Sequence, residues 1–238
     1  METKEDLQLK KTKRSFALLY EISRTVVSNR YLEEILGLVV GLTAELMGSK
    51  ICSLMLLDEK SKELGIKATQ SLSDAYRSKP PIKVGESVSG RAVELKQPIT
   101  VLDVRHERDY KYPDIAKKEG LVSMIAVPML VKNRVIGVLN CYTAQEHTFT
   151  EEEIQVLTGV ANQAALAIEN TRLLSEKVTA VEELETRKKV ERAKGIVMKR
   201  FHLGEEEAYK LLRKQSMDKQ RSLREIADAI IVSEEIAS

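Results

Sequence analysis

The chain has 238 residues and a formal net charge of +2, a length that allows one large domain or a medium one with a small one. Hydrophobic residues make up 43%, enough for a buried core, and no apolar run approaches the roughly 18 residues of a membrane span. Met1 to Arg14 is charged and lacks the apolar centre of a signal peptide, so the expected location is cytoplasmic.

From Ser15 to about Met47 the apolar residues fall at helical spacing. Phe16, Leu19, Ile22 and Val26 form one stripe and Ile35, Leu38, Val39 and Leu42 a second, with Asn29-Arg30 between them. Two helices facing a core are predicted. The period then shortens. Ile51 to Leu57 and Leu64 to Thr69 are short apolar runs separated by Asp58-Glu59-Lys60-Ser61, the pattern of a hairpin. Ser87 to Glu94 reads as a short helix, Pro98 to Val104 as a third strand, and 105–120 as loop with a short helix. Ser123 to Val131 and Val135 to Tyr142 are the fourth and fifth strands, joined by a tight turn at Lys132-Asn133-Arg134. Helices followed by hairpins give an α+β domain on a largely antiparallel sheet. Cys52 and Cys141 lie in apolar strands without metal-ligand spacing and read as reduced core thiols. His106, His147 and His202 are scattered, which leaves no zinc pattern.

A long helix is predicted next. Thr150 with Glu153 makes a capping box, and Glu151-Glu152-Glu153 suit the positive end of the helix dipole. Leu157, Val160, Ala164, Ala167, Thr171, Leu174, Val178 and Val181 recur at alternating spacings of three and four, a heptad seam. The next seam positions are Glu185 and Lys188, so the pattern fails there. The seam should pack on the sheet first and then run clear of it, and a seam that outlasts its own domain predicts a parallel homodimer through residues around 157–184.

Three short helices should follow, over about 185–201, 205–217 and 222–236. Charge concentrates here. Residues 186–224 hold 13 Lys/Arg against 5 Asp/Glu, whereas residues 225–238 hold 4 acids and no cation. A compact basic block is the footprint of a polyanion site. A helix-turn-helix would put its last helix in the DNA major groove, but Glu225, Asp228, Glu234 and Glu235 make that helix acidic. The cations sit on the two helices before it: Lys188, Lys189, Arg192, Lys194, Lys199, Arg200, Lys210, Arg213 and Lys214. Tyr209 lies among them, and basic side chains around an aromatic suit unpaired RNA. Gly195 stands mid-helix, where glycine costs about 1 kcal/mol relative to alanine.

Ala193-Lys194-Gly195-Ile196-Val197-Met198, then Glu207-Ala208-Tyr209, Leu211-Leu212-Arg213 and Leu223-Arg224-Glu225-Ile226-Ala227 resemble the ANTAR domain, a three-helix RNA-binding module of bacterial transcription antiterminators. Ser216 stands where that family more often has alanine. The resemblance implies a dimer whose paired modules bind two small stem-loops of a leader transcript and prevent the terminator hairpin. It places Ala193, Lys194 and Gly195 where an RNA loop approaches, with Lys188, Lys189, Arg192, Lys199, Arg200, Tyr209, Arg213 and Lys214 as further expected contacts. Over about residues 15–170, the element order, Val84-Gly-Glu-Ser-Val-Ser-Gly90-Arg-Ala-Val and Val135-Ile-Gly-Val-Leu-Asn140 resemble the GAF domain, which binds small ligands or dimerises. The implied layout is a sensor domain over 15–170, a coiled-coil connector over 171–184 and an RNA-binding domain over 185–238. No nucleophile–histidine–acid set and no phosphate-binding loop stands out, so catalysis is not expected. The sensor's ligand is left open. The alternative is a ligand-binding switch whose helical tail engages a protein partner.

Overall fold

A computed structural model describes residues 32–71 and 73–237. The helix predicted from Phe16 to Val26 lies outside the described residues. The chain divides into two compact units between Thr171 and Arg172.

In the first unit, α1 (Leu32–Met47) buries Ile35, Leu36, Val39, Val40 and Thr43. The predicted stripe is therefore rotated, with Leu38 and Leu42 only half-buried. The Thr43 hydroxyl donates to the Val39 carbonyl at 2.6 Å, which satisfies it inside the core. The sheet consists of β1 (Ile51–Asp58), β2 (Glu63–Thr69), β3 (Ile82–Lys83), β4 (Ile99–Val101), β5 (Met124–Val131) and β6 (Arg134–Tyr142). Its strand order is β3-β2-β1-β6-β5-β4, and the paired strands are antiparallel. β3 is a sixth strand that the sequence reading missed, because two paired residues are too short for an alternation to show. β4 is shorter than predicted. Beyond it the Arg105 backbone N–H donates to the Asp103 carboxylate at 2.9 Å, turning the chain away from the sheet.

Alternation along the central strands builds two cores. Cys52 and Leu54 of β1 and Leu139 and Cys141 of β6 face one side. Ile51 and Met55, with Val138 and Tyr142, face the other. The first face is covered by α1 and by α5 (Glu151–Phe201). The second packs against α2 (Asp74–Arg77), α3 (Ser87–Leu95) and α4 (Pro113–Glu119). Gly90 and Gly137 are demanded by close backbone approach: a Cβ would overlap the Lys83 carbonyl at the first and the Met55 carbonyl at the second. That requirement explains glycine in both motif phrases. Lys132-Asn133 forms the predicted tight turn, with Val131 paired to Arg134.

α5 starts at the predicted capping box: the Glu153 N–H donates to Thr150 Oγ1 at 3.3 Å and the Thr150 N–H to Glu153 Oε2 at 2.9 Å. It then runs unbroken for 51 residues. No separate helix starts near Glu185, contrary to expectation. Losing the apolar seam removes a packing face but no helix propensity, because Glu, Lys and Arg around 182–192 are good helix formers.

The second unit is closed by α6 (Glu205–Asp218) and α7 (Leu223–Ala237). His202 takes a left-handed φ of 54° and ends α5. Ser222 caps α7, its hydroxyl accepting from the Glu225 N–H at 3.2 Å. The core is Val190, Ala193, Val197, Ala208, Leu212, Ile226, Ala227 and Ile231. Phe201, the last residue of α5, is exposed. Among the described residues no helix is long and apolar enough to cross a membrane.

Candidate nucleic-acid interface

α5 supplies most of the cations predicted to meet RNA, and the structure engages most of them internally. Lys189 pairs with Asp228 at 2.7 Å, Arg192 with Glu235 at 2.8 Å and Arg200 with Glu234 at 3.0 Å. The acidic residues of α7, which spoke against DNA in the sequence, thus neutralise one face of α5. Lys188 pairs along its own helix with Glu185 at 3.2 Å. Exposed pairs like these contribute little to stability, and a phosphate can replace the carboxylate.

Ala193 and Lys194 lie in less open surroundings than a contact with RNA would lead one to expect. Ala193 is fully buried in the three-helix core, so its methyl faces Val197 and its neighbours rather than a ligand. Lys194 is only 8% exposed. Its ammonium sits 2.6 Å from Glu191 and 2.7 Å from Glu205, and the bonds to Glu191, then Glu205, raise its pKa above the usual lysine value. Lys194 therefore ties α5 to the first turn of α6. Gly195 differs from both. A Cβ built there would meet nothing within 4 Å, so helix packing does not require the glycine.

What is left open lies mainly on α6. Tyr209 is 42% exposed. Arg213 follows it by one turn on the same face, and Lys210 and Lys214 flank that face. Arg213, Lys214 and Lys199 are exposed and make no ion pair among the described residues, whereas Lys210 pairs with Glu206 at 2.7 Å. Tyr209 also lines a cleft of about 600 Å³ with Arg187, Val190, Leu223 and Arg224, bordered by Glu182 and Glu191. Neither Arg187 nor Arg224 was among the contacts expected from the sequence. Arg187 precedes the core residue Val190 by three positions, the one signal that places it at the rim of this unit.

The predicted dimer seam is split. Leu157, Val160, Ala164 and Ala167 are fully buried in the first unit's own core, so that half of the seam is intramolecular. Thr171 is half-buried, its hydroxyl bonded to the Ala167 carbonyl at 3.0 Å. Beyond it Leu174, Val178 and Val181 are 60%, 57% and 51% exposed, with Leu173 and Leu184 also open.

The first unit holds a small polar cavity on the α2–α4 side of the sheet, lined by Ser53, Tyr76, Lys79, Ser89, Tyr110 and Tyr142, among others. Lys79 places its ammonium 3.7 Å from the centre of the Tyr76 ring. Burial lowers its pKa to about 7, only partly opposed by Glu119. The Ser53 hydroxyl and the Tyr76 phenol are hydrogen-bonded at 2.9 Å, and Tyr110 donates to Tyr142 at 3.3 Å. Burial pushes the Tyr110 phenol up to about 12. Among the described residues no group of three His, Cys, Asp or Glu could hold a metal.

Comparison with known proteins divides the chain in the same way. Residues 29–169 match the GAF domain and residues 179–231 the ANTAR domain. A phosphoenolpyruvate-dependent phosphotransferase system protein of Escherichia coli is 25% identical over 155 residues, 65% of this chain and 21% of that protein. The transcriptional regulatory protein PdtaR of Mycobacterium tuberculosis is 36% identical over 63 residues, 26% of this chain and 31% of that protein. Each match thus spans about a third of the relative's length or less. The solved GAF domain of a phosphoenolpyruvate-protein phosphotransferase from Coxiella burnetii superposes with a TM-score of 0.62 at 26% identity, covering 69% of this chain and 98% of that one.

Proposed function

We infer that this chain, which belongs to the GAF domain family across residues 29–169 and carries an ANTAR domain across residues 179–231, is a signal-responsive RNA-binding transcription antiterminator. The carrying observation is the α6 face: an exposed tyrosine ring beside Arg213 and Lys214, neither held in an ion pair among the described residues. Unpaired cations are free to neutralise phosphate, and an open ring is free to stack on an unpaired base. The cleft at Tyr209, with Arg187 and Arg224 on its rim, extends that surface. Lys188, Lys189, Arg192 and Arg200 contribute a second rank of contacts, since RNA phosphates can displace their carboxylate partners.

The protein works as a homodimer in this reading, through Leu174, Val178 and Val181, and each pair of modules takes two stem-loops of a leader transcript. The first unit is the input, and its ligand is left open. α5 contributes Leu157 and Val160 to the sensor core and Val190 and Val197 to the RNA-binding core, so a change in the first core is transmitted along one helix. The activity is regulatory rather than catalytic and is exerted in the cytoplasm, where transcripts emerge.

The test titrates the full chain with a two-hairpin leader RNA and with duplex DNA of equal length across a range of salt. Tighter binding to RNA is expected, with log K falling linearly in log salt. Arg213→Ala should lower the steepness of that line by about 0.7, the loss of one phosphate contact on a single strand. Equal or tighter binding to duplex DNA overturns the reading.

A further inference from the structure

The core beneath α1 and α5 contains a chemically reactive pair that RNA binding does not use. β1 and β6 are antiparallel neighbours, and Cys52 stands directly opposite Cys141 in their register. Directly opposed antiparallel residues have Cα atoms about 4.5–5.5 Å apart, inside the window a disulfide accepts. The two sulfurs lie 3.0 Å apart, both fully buried. The neighbouring Cys52 thiol, together with burial, raises the Cys141 pKa well above that of a free cysteine. The Ser49 side chain lies beside Cys141 and opposes part of that rise. With no metal-binding group among the described residues, the pair is left with thiol chemistry.

We propose that Cys52 and Cys141 form an oxidation site that closes to an intramolecular disulfide on exposure to a small hydroperoxide. A small uncharged oxidant can enter the apolar core when the sheet breathes. A bulky disulfide such as oxidised glutathione is excluded by the complete burial of both sulfurs. One thiol loses its proton, and its sulfur attacks a peroxide oxygen. The S–O bond forms as the O–O bond breaks, and the hydroxide released takes up that proton as water. The second sulfur then attacks the sulfenic sulfur. The S–S bond forms as the S–O bond breaks, and the leaving hydroxide takes the second thiol proton as water. Two thiols and one hydrogen peroxide become one disulfide and two waters. Neutral buried thiols make the step slow, so the pair responds to sustained oxidant.

The experiment exposes the folded full chain to hydrogen peroxide, quenches with catalase, unfolds it in N-ethylmaleimide and measures the intact mass without reductant. Both cysteines should become unavailable to the maleimide while the chain remains monomeric on a denaturing gel. Digestion should yield one linked peptide pair containing Cys52 and Cys141, released by dithiothreitol. Cys52→Ser should abolish the linked pair and leave Cys141 to be trapped as a sulfenic acid by dimedone. Cys141→Ala provides the reciprocal check if the serine variant folds poorly. Two alkylated cysteines after peroxide, or bridges found only between chains, would overturn the proposal.

Discussion

Lys194 and Gly195 are adjacent on α5 and have opposite surroundings. Lys194 is held by Glu191 and Glu205 and nearly buried, so Lys194→Ala should lower the unfolding temperature of the second unit by removing its link to α6. Arg213 holds no such pair. Arg213→Ala should change stability by no more than about 0.5 kcal/mol while weakening RNA binding, and melting curves beside RNA titrations separate the two outcomes. Gly195→Ala should stabilise α5 by about 0.5–1 kcal/mol, because the added methyl meets nothing and the helix loses a flexible residue. If the glycine serves the approach of RNA, the same variant should bind RNA more weakly despite melting at a higher temperature. In the first unit, Lys79 binds its proton less tightly when folded, at about 7, than in the unfolded chain, near 10.4. Between those values the unfolded state carries more protons, so stability rises with pH from about 7 to 10. Below 7 the full penalty of the buried charge is present. Lys79→Met should therefore stabilise the first unit at pH 6, by roughly 1–3 kcal/mol, and the gain should shrink towards pH 10; urea unfolding at both pH values measures it.

At the scale of elements, α5 carries the most consequential difference between expectation and structure. Its apolar seam was legible because heptad spacing depends only on residue type. That the seam packs on the sheet first was legible in its length, but where it leaves the core was not, since Leu157 on a sheet and Leu174 in the open have the same spacing. The exposed half makes a direct prediction. If the proposed homodimer forms through this seam, Leu174→Asp with Val181→Asp should leave only monomer in light scattering while the first unit stays folded, because neither residue belongs to its core. The strands of the hairpins were legible for a similar reason: one face or both faces of apolar side chains leave a pattern. β3 has only two residues and left none. The binding face was the least legible part. Thirteen cations in one block announce a polyanion, but which of them are engaged depends on where α7 lies. Arg192 meets Glu235 across 43 positions of chain and Arg200 meets Glu234 across 34, distances at which no local pattern carries information. Tyr209 was found because an aromatic among cations is conspicuous, whereas Arg187, next to Lys188-Lys189, and Arg224, on the acidic last helix, were not singled out because only the fold brings them to one cleft.

For the molecule as a whole, each of the two units has its own buried core, and α5 contributes to both. The margins of the sheet add a constraint on assembly. Its two edges are β3, with two residues, and β4, with three. Edges this short offer a second copy almost no row of unpaired amides and carbonyls to extend. Joining sheet to sheet, a route that leads to open-ended growth, is thereby disfavoured, whereas the proposed pairing through helices is an assembly of two that closes on itself.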